Sequence, residues 1–231
     1  MAPNSKAIRA VFFDLGDTLI DVRNYALWLE VARGVMVDLD SDALVHAVQE
    51  AVKANDRPDP ISHIELWRQI LAAASDRPVT THTAARFLAD LGDREPTGRL
   101  FSDARRCLDV LHAEGRTLGV ISNSRSEESI RMLMESVGIL RFFSVVLSSG
   151  TEGVAKPEPE IFLRALKRAN VRAPESFYVG DLAYTDALAA RAAGLHSVWL
   201  HRDGTGFGED PPEITSLLEV PLVIRKIEQG S

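Results

Sequence analysis

The residues with the clearest chemical potential stand near the start of the chain, where a short apolar run ends in acidic side chains. The run Val11–Phe13 precedes Asp14, and Gly16, Asp17 and Thr18 follow closely. An apolar run of this kind predicts a fully buried strand. A carboxylate at the end of such a strand is costly to bury unless it binds something. The stretch therefore predicts a functional acid at the carboxyl end of a strand, although an ordinary acidic turn has the same pattern.

Three later stretches carry polar side chains at comparable positions, after an apolar run or just before a helical pattern. Their polar residues are Ser122 and Asn123, then Lys156, then Asp181 and Asp186. Because the carboxyl ends of parallel strands meet at one crevice, we expect this set to lie beside Asp14. Taken singly, each residue also has an ordinary structural explanation: helix capping for Ser122 and Asp181, a solvated loop cation for Lys156.

Together these residue types indicate phosphoryl chemistry assisted by a metal ion. Several carboxylates crowded into one crevice repel each other and retain protons unless a cation intervenes, and oxygen ligands suit Mg2+. Lys156 offers a compact positive charge for a developing anion, and Ser122 with nearby backbone N–H groups can hold phosphate oxygens. A carboxylate without a neighbouring histidine can itself be the nucleophile. The expected reaction is therefore phosphoryl transfer through an aspartyl-phosphate on Asp14.

The elements that must position these residues alternate between helix and strand from residue 102 onward, which predicts an α/β fold with a doubly wound (Rossmann-like) parallel sheet. The first strand belongs to the same sheet. The expected helices cover 103–114, 127–137, 158–169 and 182–193, and the expected strands cover 117–121, 143–147, 176–179 and 197–200. Residues 220–227 are expected to add a short helix or an edge strand.

Residues 21–97 have a different pattern, with apolar residues at helical spacing and turn-forming residues between the segments. They predict a small α-helical bundle inserted as a cap domain over the carboxyl edge of the sheet. The expected core domain comprises residues 1–20 and 98–231, and residues 92–98 form the return hinge.

The overall composition is typical of a globular enzyme or binding protein. The 231 residues are 45% hydrophobic and carry a formal net charge of −7, so no basic field attracts nucleic acid or anionic lipid. The single cysteine excludes an internal disulfide, and the chain contains no apolar run long enough to span a bilayer. We expect a cytoplasmic monomer or homodimer without a nucleic-acid or membrane partner.

The four polar stretches, in this order, resemble the motifs of the haloacid dehalogenase (HAD) superfamily. The resemblance is to the branch, subfamily I, with a helical C1-type cap inserted after the first motif. The matching stretches are residues 13–19, 120–124, 156–162, and 180–186 with 192–194. The resemblance implies a Mg2+-dependent phosphatase that acts on a small phosphorylated metabolite.

The resemblance also implies roles for single residues. Asp14 matches the nucleophile, Lys156 the lysine that holds nucleophile and phosphate together, and Ser122, with Asn123 beside it, the phosphate-binding residue. The implied metal ligands are Asp14, the backbone carbonyl of Gly16, and Asp181, with Asp186 supporting them.

One position departs from the family pattern, Asp-x-Asp, in which the second Asp protonates the leaving group and then activates water. That position is Gly16 here, and Asp17 lies one residue later, where its side chain is aimed elsewhere. General acid–base help contributes about 100- to 10,000-fold. We therefore expect a weak or leaving-group-selective phosphatase.

The sequence leaves other functions open. A 2-haloacid dehalogenase also lacks an acid at the position of Gly16. It needs no metal, however, whereas the pair Asp181 and Asp186 indicates a metal site, so this alternative is less favoured. A catalytically impaired protein that binds or scaffolds around a phosphorylated metabolite is a second alternative. Phosphonate cleavage is a minor alternative. It needs a lysine from the cap, and the cap's single lysine, Lys53, is expected to lie on a solvated helix.

We expect the cap to choose the substrate. Its candidate substrate residues are Arg23, Tyr25, His63 and Trp67. For Trp67 and Tyr25 a place in the apolar core is the competing interpretation, and for the other two a place on the surface.

Overall fold

The computed structural model describes residues 7–35, 39–57, 61–92, 94, 97–202, 204 and 211–230. The chain divides into two compact units, the first comprising Met1–Val22 with Gly98–Ser231 and the second comprising Arg23–Thr97. The second unit is thus an insertion into the first. Residues 93, 95 and 96 of the expected hinge lie outside the described residues.

The first unit is built on a six-stranded parallel sheet with the strand order β5-β4-β1-β6-β7-β8. The strands formed by the described residues are β1 (Ala10–Phe13), β2 (Ile20–Asp21), β3 (Arg99–Leu100), β4 (Thr117–Ser122), β5 (Val145–Ser148), β6 (Ser176–Gly180), β7 (His196–Leu200) and β8 (Glu213–Ile214). β2 and β3 form a separate antiparallel pair through which the chain leaves and re-enters this unit.

Besides one π-helix and three short 3-10 helices, the described residues also form ten α-helices. They are α1 (Tyr25–Val35), α2 (Ser41–Asn55), α3 (His63–Ala73), α4 (Thr81–Gly92), α5 (Ser102–Ala113), α6 (Glu127–Ser136), α7 (Ser149–Glu152), α8 (Pro159–Ala169), α9 (Ala189–Ala192) and α10 (Val220–Gln229). Within the described residues, none of these helices is both long and apolar enough to cross a membrane.

The sheet is covered on both faces, and β1 shows why. Val11 and Phe13 belong to one apolar cluster, with residues of α5, α6 and α10, whereas Ala10 and Phe12 belong to another, with residues of α8 and α9. Because successive strand residues point to opposite faces, a strand buried on both sides is apolar throughout. This layered arrangement is the α/β, Rossmann-like fold that the sequence predicts.

The second unit has its own apolar core, formed by α1 to α4. Edge-to-face and tilted ring contacts link Tyr25, Trp28, Trp67 and Phe87 in that order, with centroid separations of 5.2, 5.3 and 4.7 Å. We call these four residues the aromatic chain. Such contacts add to the area that the rings bury, so the aromatic chain stabilises the helical unit from within.

The structure differs from the sequence-based expectation at several elements. The expected helix over 182–193 is a π-helix over Ala183–Leu188 followed by the short helix α9. Residues 220–229 form a helix, which is one of the two expected alternatives, and the sheet ends instead at β8, a strand that was not expected. The two-residue strands β2, β3 and β8 are too short to leave a periodic signal in the sequence.

Candidate active site

Polar side chains meet at the carboxyl end of the sheet. The backbone N–H of Asp14 donates to the carbonyl of Val179 at 2.9 Å, which fixes the end of β1 against β6. Ser122 is the last residue of the neighbouring strand β4, and Asp181 directly follows β6. The parallel sheet therefore brings together residues that are far apart in the chain, as the doubly wound topology requires.

Lys156 lies at the centre of this group and is 5% exposed. Its Nζ donates to Asp14 Oδ1 at 2.6 Å, to Asp186 Oδ1 at 2.6 Å and to the Tyr178 hydroxyl at 3.0 Å. Burial alone lowers the pKa of Lys156, but Asp14 and Asp186 outweigh burial and raise it. The ammonium group is therefore charged and bridges two carboxylates.

Asp14, Asp181 and Asp186 form an acidic cluster in which one oxygen of each lies within 4.8 Å of the others. Burial, followed by the charge of Asp186, raises the pKa of Asp14 to about 6 against the pull of Lys156. The pKa of Asp181 is raised well above its ordinary value, first by burial and then by Asp14. One ammonium group does not balance three carboxylates, so negative charge remains in excess.

This donor set fits a magnesium ion. Two oxygens on opposite sides of Mg2+ are about 4 Å apart, so small side-chain adjustments bring two or three of these carboxylates onto a common ion. Among the described residues, the cluster consists of carboxylates alone, and such hard oxygen ligands favour Mg2+ over softer metals. Burial and, to a smaller extent, mutual repulsion raise both aspartate pKa values, and a bound cation would offset both effects.

Asp181 is held in place from two directions. The Thr18 hydroxyl donates to Asp181 Oδ1 at 3.1 Å, and the indole N–H of Trp199 donates to the Asp181 backbone carbonyl at 2.8 Å. Thr18 is itself fully buried, and its carbonyl accepts from Arg202 at 2.8 Å. The first acidic stretch and the last one are therefore joined directly.

Gly16 lies in the tight loop between β1 and β2, where it bridges to Ile20. A Cβ atom added at Gly16 would lie 3.2 Å from a methyl group of Val22, which is a close but not impossible contact. Asp17 adopts a left-handed conformation with φ of 56°. The loop therefore offers no carboxylate at position 16, and the role of the Gly16 carbonyl as a metal ligand stays a prediction.

Ser122 and Asn123 differ in what their side chains do. Ser122 is 9% exposed at the end of β4. The Asn123 amide instead pairs with the backbone of Lys156, donating from Nδ2 to the carbonyl and accepting from the N–H at Oδ1, both at 2.9 Å.

The four candidate substrate residues all belong to the helical unit. Trp67 is 7% exposed and lies within the aromatic chain, as Tyr25 does. The Trp67 indole N–H donates to Nε2 of His63 at 3.1 Å, and Arg23 is an exposed residue ahead of α1. Tyr25 and Trp67 therefore belong to the aromatic chain, and His63 is hydrogen-bonded to it through Trp67. The role of all four residues toward a substrate stays a prediction.

Sequence reasoning missed Tyr178, whose hydroxyl donates to Asp186 Oδ1 at 2.9 Å and accepts from Lys156. Burial, followed by the charge of Asp186, raises the pKa of this hydroxyl well above its ordinary value. Tyr178 lies in an apolar run that predicts a strand, so the sequence alone indicates an ordinary core residue. A buried tyrosine needs a hydrogen-bond partner, which is the one signal in the sequence that points to its role.

Comparisons with known proteins show which families and proteins the chain is similar to. A family described as haloacid dehalogenase-like hydrolase matches residues 8–194. The glyceraldehyde 3-phosphate phosphatase of Pyrococcus furiosus is 31% identical over 84% of this chain and 81% of its own length. The phosphoglycolate phosphatase of Salmonella typhimurium is 30% identical over 87% of this chain and 84% of its own length.

Solved structures show the same architecture. The putative HAD-hydrolase YfnB of Bacillus subtilis, bound to magnesium, gives a TM-score of 0.75 at 20% identity, covering 95% of this chain and 99% of that one. The 2-haloacid dehalogenase of Pseudomonas syringae gives a TM-score of 0.61 at 25% identity, also covering 95% and 99%.

Proposed function

The chain belongs to the haloacid dehalogenase-like hydrolases, and from this membership we propose that it hydrolyses small phosphate monoesters with Asp14 as nucleophile and Mg2+ as cofactor. The observation that carries the proposal is the acidic cluster with Lys156 inside it. Carbon-centred dehalogenation does not need several carboxylates around one point, whereas a metal ion that binds phosphate oxygens does. The names of the phosphatase relatives support the same class of reaction.

The proposed reaction has two steps. In the first, a carboxylate oxygen of Asp14 attacks phosphorus, the ester P–O bond breaks, and the leaving oxygen keeps the electron pair and takes a proton from solvent. In the second, water attacks the phosphorus of the aspartyl-phosphate, the acyl P–O bond breaks and inorganic phosphate leaves, while the water proton goes to solvent. A covalent intermediate of this kind replaces one difficult displacement by two easier ones.

The residues of the site have distinct tasks in this scheme. Lys156, already 2.6 Å from Asp14 Oδ1, holds the nucleophile and neutralises charge on the phosphoryl oxygens. Ser122 and backbone N–H groups of the loop after β4 bind the phosphoryl oxygens. Asp14 and Asp181 would hold Mg2+, with Asp186 supporting them, and the ion would supply charge stabilisation and orientation of the phosphate.

The absence of a carboxylate at position 16 limits the substrates. An alkoxide is a poor leaving group without a proton donor, whereas the phenolate of an aryl phosphate or the carboxylate of an acyl phosphate leaves readily without one. We therefore propose that the enzyme prefers activated phosphates by about 100-fold or more in kcat/KM over simple alkyl phosphates. Equal rates for an aryl and an alkyl phosphate would show that another group supplies the proton.

We further propose that the helical unit acts as the cap that selects the substrate. Arg23, Tyr25, His63 and Trp67 remain its candidate residues. The test is a change of substrate profile in His63→Ala and Arg23→Ala, with Val52→Ala, an exposed change on α2, as the control. Identical profiles in all three variants would remove these two residues from substrate selection.

The experiment that tests the function is a phosphate-release screen over a panel of phosphate esters. The panel contains p-nitrophenyl phosphate, acetyl phosphate, glyceraldehyde 3-phosphate and phosphoglycolate, each measured with Mg2+ and with EDTA. We expect release that requires Mg2+ and is abolished in Asp14→Asn. No release at high enzyme concentration together with tight binding of a panel member would instead support a phospho-metabolite-binding protein.

A dehalogenase is the second candidate, favoured by the similarity to a 2-haloacid dehalogenase at 25% identity. In that reaction the Asp14 carboxylate would displace chloride from carbon, with no metal ion needed. Chloride release from 2-chloropropionate in the presence of EDTA would support it and would contradict the phosphatase proposal.

A further inference from the structure

The segment that carries Lys156 has no regular secondary structure of its own. It lies between Glu152, the last residue of α7, and Pro159, the first residue of α8. Lys156 is nonetheless buried, and its Nζ makes three short contacts. The backbone beneath such a side chain must be fixed, and its own buried N–H and C=O groups must find partners outside a sheet or helix.

Asn123 supplies both partners, although it is 33 residues away in the chain. Its Nδ2 donates to the Lys156 carbonyl at 2.9 Å, and its Oδ1 accepts from the Lys156 N–H at 2.9 Å. The side-chain amide thus pairs with Lys156 as a neighbouring strand would. Among the described residues, no other side chain hydrogen-bonds to the backbone N–H or C=O of Lys156.

We propose that Asn123 is a positioning residue that holds Lys156 against Asp14, and that its side chain does not serve as the phosphate ligand. This inference rests on the proposed function, since it assigns Asn123 a task in that same site. Ser122 and the backbone of the loop after β4 are then left to bind the phosphoryl oxygens. Loss of the Asn123 amide acts through Lys156, so it lowers kcat more than it raises KM.

The first test measures hydrogen exchange at the Lys156 amide by NMR, which does not depend on activity. We expect exchange to be at least about 100-fold faster in Asn123→Ala than in the wild type, while amides of β1 stay protected. Asn123→Asp retains the acceptor for the Lys156 N–H and should keep that amide protected. Glu128→Ala, an exposed change on α6, is the control. Unchanged exchange in Asn123→Ala would overturn the inference.

The second test is a double-mutant cycle on p-nitrophenyl phosphate hydrolysis with Asn123→Ala and Lys156→Ala. Alone, Asn123→Ala should lower kcat by about 10- to 100-fold with KM changed by less than about threefold. In the Lys156→Ala background the same change should lower kcat/KM by less than about threefold, because the residue it positions is gone.

Equal losses in the two backgrounds would show that Asn123 acts independently of Lys156 and would overturn the inference. A wild-type protein that releases no phosphate would contradict the proposed function alone. In that case the exchange experiment still decides whether Asn123 holds Lys156.

Discussion

Gly16 is the single residue with the greatest expected influence on which phosphate esters the site cleaves. It stands where the family pattern has the acid that protonates the leaving group. The neighbouring Asp17 does not take its place automatically, because a one-residue shift redirects a side chain and Asp17 has a left-handed backbone. In the proposed mechanism, the site then stabilises the phosphoryl group without protonating the leaving group, which suits leaving groups that need no proton.

Gly16→Asp is therefore expected to raise kcat/KM for alkyl phosphates by at least about tenfold and to change aryl phosphates little. The added Cβ lies 3.2 Å from a Val22 methyl, so the gain should be larger when Val22→Ala is combined with it. Gly16→Asn is the matched control, since it has the same shape without an acid. Equal effects of Asp and Asn on the alkyl to aryl ratio would contradict this account.

Residue types and spacing were sufficient to predict Asp14, Lys156, Asp181 and Asp186 as neighbours. They did not predict that Tyr178 bonds to Asp186 or that the Asn123 amide pairs with the Lys156 backbone. Those contacts depend on the exact directions of side chains around the end of the sheet. Such directions follow from the folded backbone, which a local sequence pattern does not specify.

The π-helix after β6 is the element that positions Asp186. In it, Asp186 Oδ2 accepts from the Leu182 N–H at 3.2 Å, while Oδ1 reaches Lys156. Gly180 makes room for this arrangement, since a Cβ there would lie 2.3 Å from Asp186 Cγ. The sequence predicted an ordinary helix because the wider turn follows from these tertiary contacts, and π-helical turns often mark functional sites.

Gly180→Ala is expected to displace Asp186 and loosen Lys156, lowering kcat/KM by at least about 100-fold and stability by about 1–3 kcal/mol. Gly34→Ala is the matched control, because its added Cβ meets nothing within 4 Å inside α1. The measurement is phosphate release with thermal unfolding of both variants. An active Gly180→Ala enzyme would show that the position of Asp186 is not required.

The aromatic chain is part of the apolar core of the helical unit. Phe87 is fully buried at its end, against Trp67. Phe87→Ala is expected to destabilise this unit by about 3–5 kcal/mol, because it removes buried area and leaves a cavity. Urea unfolding in a Trp199→Phe background, where fluorescence reports on Trp28 and Trp67, measures this loss. Val52→Ala, at a residue 37% exposed, should change the midpoint little, and equal midpoints for the two variants would contradict the prediction.

The alternation of apolar strands and amphipathic helices could be predicted from the sequence, because the period and the length of the apolar pattern distinguish these elements well. The pair β2 and β3 was not, since two-residue strands have no period. Their pairing, Ile20 with Leu100 and Asp21 with Arg99, depends on residues about 80 positions apart in the chain.

The whole molecule carries excess negative charge, and part of it is concentrated at the site. In the metal-free protein the pKa of Asp14 is raised from 3.8 to about 6, chiefly by burial. The folded state then binds a proton more tightly than the unfolded state between those two pH values. Stability from this group is therefore highest below about pH 4 and is lost as the pH rises through about 6, by about 3 kcal/mol.

A bound magnesium ion should reverse that loss, because it binds only the deprotonated cluster. The increase in melting temperature caused by Mg2+ is expected to be small near pH 5 and largest above about pH 7. The measurement is the difference between melting curves with Mg2+ and with EDTA, so other titrating groups cancel. Asp14→Asn should reduce the difference at every pH. An increase independent of pH would place the metal away from Asp14.

In the proposed mechanism, Asp14 carries the phosphoryl group during turnover. The most direct test is to quench the enzyme with acid during hydrolysis of an activated phosphate, reduce the protein with borohydride, and locate the modified residue by mass spectrometry. Borohydride reduces a phosphorylated aspartate to homoserine, so we expect homoserine at position 14 with Mg2+ and none with EDTA. Rapid phosphate release with an unmodified Asp14, or with the label on another residue, would contradict it.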